Sequence, residues 1–458
     1  MSVIAIAFGV FALLYAVLAV EHAFALASGR LDLATHLTAR LTSDGFIFGS
    51  GSLRYIVPWY EKAAGRMGTH IGLGGIALGL GILQFVPSLR RRHPRLHRFA
   101  GLAVWIAVLA SMIGAIGFLI FIPMRQGASG VVFHMGLWAL DLLTLGLLYQ
   151  AILAALARDF RSHMVWMSMV FAAIATAPML RLDWVVFAHL WPQQGHEIIN
   201  LATSTFVLLQ TVTIMTLWLG WVGDRDLPAR SSSAISAWPQ WVIVALSALS
   251  ALAAIQESWL VRAGFDLFHS VRDARDVFPP GAILWSLTML VGMALAPRAW
   301  RNALTGARPS IFTTVVIMGV ALGSMAIGLE YDRASLVRVG ISTFWTAYGL
   351  LLVTAIVLAH VIRPTSLGRN AWTLIAIALM WLPSQLLGLI VLGLSFGATF
   401  TEAMGAALVI GVGGLVVAGA ATGFGAKLRW APVRRANARK VTGTLPETAA
   451  SGILGTHY

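Results

Sequence analysis

Residues 67–122 read MGTHIGLGGIALGLGILQFVPSLRRRHPRLHRFAGLAVWIAVLASMIGAIGFLIFI. Two apolar runs, at about 67–87 and 99–122, flank one short turn, Arg90-Arg91-Arg92-His93-Pro94-Arg95, that holds most of the charge. A helix needs about 20 apolar residues to cross a hydrocarbon core of ~30 Å. Each run meets that length, so the stretch is a membrane-crossing helical hairpin with a basic turn on one side. Only a helix satisfies all of its own backbone polar groups in lipid, so the expected class is all-α.

Working outward, ten further runs of this kind lie at about 3–27, 131–157, 163–182, 198–221, 238–257, 280–297, 310–329, 339–360, 371–396 and 403–425. The expectation is a polytopic bundle of about twelve spans. Composition agrees. Of 458 residues 58% are apolar and 11% charged, with a mean hydropathy of +0.82; a soluble chain carries about 25% charged residues. The run through Arg30 contains Glu21-His22 and has no basic leader, so it reads as a retained first helix.

The net charge of +14 does not indicate a nucleic-acid protein, because the excess is scattered in short loops instead of gathered on one face. Scattered charge of this kind sets orientation. With the N-terminus inside, 20 Lys and Arg fall in inner loops and the tail, and 11 in outer loops. Both termini are therefore expected in the cytoplasm, and a bacterial inner membrane is the expected location. A Ser- and Pro-containing linker, 224–239, suggests two six-helix membrane domains, 1–230 and 231–430, with a cytoplasmic tail at 431–458. The stretch 257–280 mixes Trp and Phe with Arg and Asp and reads as an interfacial helix or a solvated loop.

Cysteine is absent. That excludes disulfides, thiolate metal sites, iron–sulfur clusters and covalent c-type haem. No P-loop, His-Glu-x-x-His or Gly-x-Ser-x-Gly motif occurs, so hydrolytic chemistry has no foothold.

Histidine is patterned. His70, His97, His134 and His163 each stand about one turn inside the N-terminal end of the second, third, fourth and fifth runs. Successive helices alternate in direction. His70 and His134 are thus expected near the outer face, and His97 and His163 near the inner face, of a four-helix bundle. Two b-type haems, each needing two axial imidazoles from facing helices, would use such pairs. About 18 residues at 1.5 Å each place the two levels roughly 25 Å apart.

Gly68, Gly72, Gly74, Gly75, Gly79 and Gly81 leave one side of the second helix bare for a flat macrocycle or a neighbouring helix. Asp141, seven residues after His134, is a membrane carboxylate suited to a proton path or to an ion pair with Arg181. Glu21, His22, His189 and His196 add polar groups to the outer face, as an acceptor site or as solvated loop ends.

The run from His70-Ile71-Gly72 to Gln84-Phe85, the basic turn, and then Leu96-His97-Arg98-Phe99-Ala100-Gly101 resemble a bacterial family of predicted membrane proteins, domain of unknown function 2306. His163, Trp166 and Met167, followed by Leu180-Arg181-Leu182, fit the same pattern, although Met164, Val165 and Ser168 stand where that family tends to be polar or basic. The resemblance covers about residues 65–220 and implies no activity. The paired-His layout separately resembles di-haem transmembrane cytochromes b of the b-561 type, in architecture alone. The leading expectation is a membrane electron carrier with two haems b and a quinone or other redox partner. A 6+6 secondary transporter and a membrane scaffold without a cofactor are the alternatives.

Overall fold

The computed structural model describes residues 3–28, 32–43, 46, 58–123, 130–192, 195–204, 207, 208, 210–215, 280–304, 309–330, 336–361, 367–380 and 382. No strand occurs among them. The helices are α1 (Val3–Ala27), α2 (Leu33–Leu41), α3 (Ala64–Gln84), α4 (Pro87–Arg92), α5 (Pro94–Phe121), α6 (Gly130–Leu156), α7 (Phe160–Ile174), α8 (Thr176–Leu190) and α9 (His196–Ser204). In the second half come α10 (Pro280–Leu304), α11 (Ile311–Glu330), α12 (Leu336–Val361) and α13 (Leu367–Leu379).

Among the described residues five helices are long and apolar enough to cross a membrane, and α7 with α8 would make a sixth. The expected runs at 238–257 and 403–425, the linker at 224–239, the boundary at 230 and the tail lie outside the described residues. The chain is thus an all-helical, multi-pass membrane protein with at least these candidate spans.

The solvent of α5 is legible from its own surface. Phe99, Ile106, Ile113 and Ile120 repeat every seven residues and are 73%, 61%, 61% and 72% exposed. Seven residues make about two helical turns, so they form one outward stripe. An exposed apolar stripe running the length of a helix is stable against lipid and not against water. The opposite side of α5 buries Val104, Val108, Ser111 and Phe118.

The basic turn is itself helical. Pro87 and Pro94 sit at the first turns of α4 and α5, where a missing N–H costs nothing. His93, which precedes a proline, leaves the helical region at φ −130° and ψ 64°, as the ring of Pro94 demands. The result is a one-and-a-half-turn helix in place of a plain loop.

The expected fifth span, 163–182, is broken. α7 and α8 are bent by 42° where they meet. Pro178 explains the break, because it cannot donate to the carbonyl of Ile174 and its ring crowds that carbonyl. Asp159 starts α7 by accepting from Ser162 N at 3.2 Å and from the Ser162 hydroxyl at 2.7 Å.

Glycine decides the packing of α3. A Cβ on Gly68, Gly72, Gly75 or Gly79 would meet α1, at Ala23 or at Ala16 and Ala19. On Gly75 it would lie 2.9 Å from the carbonyl of Ala16. This side of α3 is therefore occupied by α1, and the macrocycle reading of the stripe is replaced by small-residue helix packing. Gly74 faces Ser111 of α5, and Gly81 faces Phe171 of α7.

α3 packs on α5, α5 on α6, α6 on α7 and α7 on α3. The ring is filled with apolar side chains, among them Ala107, Val108, Leu147, Ala151, Val170 and Phe171. In the second half Trp285, Trp300, Trp345 and Trp372 are fully buried. Trp285 and Trp345 stack edge to face at 5.1 Å, and the Tyr348 hydroxyl donates to the carbonyl of Leu379 at 2.9 Å, tying α12 to α13.

Candidate functional site

Three of the four patterned histidines are held by hydrogen bonds, each to a different neighbour. His70 Nδ1 lies 3.1 Å from the carbonyl of Ser111 and 3.2 Å from its hydroxyl. The same hydroxyl donates to the carbonyl of His70 at 2.8 Å. Gly114 makes this seat possible, since a Cβ there would lie 2.8 Å from the Arg66 carbonyl and 2.9 Å from His70 N. His134 is buried, 3% exposed. His163 Nδ1 lies 3.0 Å from the carbonyl of Ala151, and its ring packs on Trp105 at 5.9 Å. The amide of Gln84, oriented to satisfy its neighbours, donates to His97 Nδ1 at 3.1 Å and accepts from Gly101 N at 3.2 Å.

A haem iron bound by two imidazoles requires both rings at one depth. The donor chemistry fits: an imidazole whose Nδ1–H is anchored on a carbonyl presents Nε2 as a ligand. His70 docks on Ser111 of α5, and His134 is buried on α6. His97, near the start of α5, and His163 on α7 are close enough for one to feel the charge of the other. A cleft between α3, α5 and α7 is lined by Gly81, Gln84, Phe85, Val104, Met167, Val170, Phe171 and Ile174, with no histidine on its wall. Among the described residues no group of three His, Asp or Glu is placed to hold a metal ion.

The polar groups that do come together lie around α8. Arg181, half-buried just beyond the break, donates from Nη1 to the carbonyl of Ala177 at 3.1 Å. Its guanidinium lies over the ring of Trp184 at 5.0 Å. Trp184 stacks on His196 at 4.4 Å, and His196 on Phe46 at 5.3 Å. Guanidinium, indole, imidazole and phenyl thus form one continuous stack. Trp184 Nε1 donates to Asn200 Oδ1 at 3.2 Å, fixing the indole between α8 and α9.

The charge of Arg181 reaches Tyr60, His70 and His196. Burial, helped by the Arg181 charge, holds His196 down at about 4, so it is neutral at pH 7. Burial pushes the Tyr60 hydroxyl up, against the pull of Arg181.

Among the described residues Arg181 has no carboxylate within 4.0 Å. An ion pair joins His22 Nδ1 to Asp32 Oδ2 at 2.8 Å. Asp141 is buried on α6 and is not brought to Arg181. Glu21 and His22 fasten the start of α2. Glu21 Oε2 accepts from Leu33 N at 2.9 Å, and Asp32 accepts from Thr35 N at 2.7 Å. Burial raises the Asp32 carboxyl, but bonds from His22 and Thr35 prevail and bring it to about 2. His189 Nδ1 bonds within its own helix, to Val185 at 2.8 Å.

Asp183, Trp184, Asn200 and Gln210 were not singled out in the sequence. A signal was present: Pro178 followed by Arg181 and Asp183 in an otherwise apolar run.

No curated protein and no solved structure matches the chain, and the likeness to di-haem cytochromes b of the b-561 type finds no support. One family model does match, described as "Predicted membrane protein (DUF2306)", over residues 67–223. His70, His97, His134, His163, Asp141, Arg181 and Asp183 therefore all lie in the segment that is similar to the DUF2306 predicted membrane proteins.

Proposed function

We propose that this chain is a membrane carrier, set in a bacterial inner membrane with both termini in the cytoplasm, that recognises a small amphipathic anion at Arg181. The observation that carries the reading is a guanidinium inside a broken span with no carboxylate within 4.0 Å among the described residues. A membrane cation is costly, and it is retained where it pairs with something or serves a pathway. Broken spans are where secondary transporters place their sites, with the N-terminal end of the half-helix towards anionic groups. The planar fork of arginine matches a carboxylate in two-pronged fashion. The flanking rings of Trp184, His196 and Phe46 suit a ligand with an apolar body.

Benzoate is the probe. With the protein in lipid nanodiscs, benzoate should bind saturably in calorimetry. Arg181→Gln should weaken binding by about 2–3 kcal/mol, on the order of 30- to 150-fold. Binding that is unchanged in Arg181→Gln would refute the assignment.

Electron transfer through haem b to a quinone or other redox partner is the second reading. It is favoured by the carbonyl anchors on Nδ1 of His70 and His163, which leave Nε2 of each ring as the available ligand atom. An absorption spectrum decides it. A preparation from haem-replete cells with no Soret band, and none after haem addition, excludes it.

A further inference from the structure

Two residues beyond Arg181, a buried carboxyl has an oxygen to spare. Asp183 is 5% exposed. Gln210 Nε2 donates to its Oδ1 at 3.2 Å. Asp183 Oδ2 and Gln210 Oε1 are both buried, and neither has a hydrogen-bond partner among the described residues. Two neighbouring acceptors without a donor are an unstable arrangement, because each unpaired buried polar atom costs about 1–3 kcal/mol. An ionised carboxylate left half-paired in the membrane interior costs more. A proton on Oδ2 removes the charge and supplies a donor to the pair.

We propose that Asp183 and Gln210 form a proton-binding site within the membrane, and that its proton is linked to the anion held at Arg181. The linkage rests on the carrier reading above; the proton itself does not. The elements packed on α8 are α1, α2, α7 and α9. They bring Glu21 and His22, His36 and Arg40, His163, and His196 and Glu197. Arg181 and His189 lie on α8 itself, and Arg181 donates to Ala177 and not to Asp183.

The sign of the linkage follows from charge. Protonated Asp183 is neutral and tolerates an anion nearby, whereas ionised Asp183 repels it. Anion and proton therefore bind together, and the site favours co-transport.

The full chain in nanodiscs provides two readouts. In infrared spectra at pH 7, a carbonyl band of a protonated carboxyl should shift in D2O and vanish in Asp183→Asn. Gln210→Leu should move that band without removing it, which keeps the test open if Asp183→Asn fails to fold. A carboxyl band untouched by both variants overturns the proton site.

In calorimetry, benzoate affinity should fall by up to about tenfold per pH unit once Asp183 ionises. Asp183→Asn should bind with an affinity independent of pH. A pH dependence that persists in Asp183→Asn overturns the linkage. If the wild type binds no benzoate at any pH, the Arg181 reading and the linkage fall, and the infrared result alone decides whether Asp183 holds a proton.

Discussion

Replacing Gly114 by alanine tests the contact that seats His70. The added Cβ would stand 2.8 Å from the carbonyl of Arg66 and 2.9 Å from His70 N. Both are backbone atoms of α3, so no side chain can swing aside. Ordinary contact requires α3 to retreat from α5 by roughly 0.5 Å. Overpacking of this kind costs about 1–3 kcal/mol. The retreat also strains the Ser111–His70 bonds, each worth roughly 0.6 kcal/mol in a membrane. Alanine returns about 0.8–1 kcal/mol of helix propensity. The net loss is about 2 kcal/mol, roughly thirtyfold in the ratio of folded to unfolded protein.

Gly117 is the internal control, one turn further along the same helix and facing the same partner. Its Cβ would meet Arg66 Cδ at 3.5 Å, a flexible side chain at an ordinary distance. Gly117→Ala should therefore be neutral or stabilising by up to about 1 kcal/mol. Unfolding in mixed micelles with increasing dodecyl sulfate, followed by tryptophan fluorescence, gives both midpoints. Coincident midpoints for the two variants would refute the close approach of α3 and α5 at His70.

Two further outcomes follow from particular contacts. The folded protein holds His196 near 4, below the ordinary ~6.5 of the unfolded chain, so the unfolded state binds the proton first and stability falls as pH drops from ~6.5 to about 4. His196→Phe keeps a ring between Trp184 and Phe46 without a titrating group, and its melting temperature should be flatter than wild type across that window; equal slopes would count against the buried neutral imidazole. Tyr348→Phe leaves the Leu379 carbonyl without its donor and should cost about 1 kcal/mol, read as a lower melting temperature in detergent, with an unchanged value ruling out the α12–α13 tie.

The membrane assignment and most helix positions were legible in the sequence, because hydropathy over about 20 residues is a local property. The observed α1, α3, α5, α6 and α11 match expected runs within a few residues. The break at Pro178 was equally local, but an apolar run masks a proline when only hydropathy is read. The spacing of His70, His97, His134 and His163 was also plain. Their relative depth was not, since it depends on how far each helix slides along its neighbour.

That slide is set by tertiary contacts distant in sequence. Gly114 against Arg66, and Ser111 against His70, fix α3 on α5. The glycine face of α3 shows the same division: its bareness is written in the sequence, but its occupant, α1, is chosen only in the fold. By itself the sequence determined the solvent, the class and the candidate polar residues, because these follow from composition and short-range periodicity. The tertiary structure alone decided that Arg181 lies on a stack of rings and that Asp183 keeps an oxygen to spare, because the first depends on α9 packing against α8 and the second on Gln210 reaching Asp183.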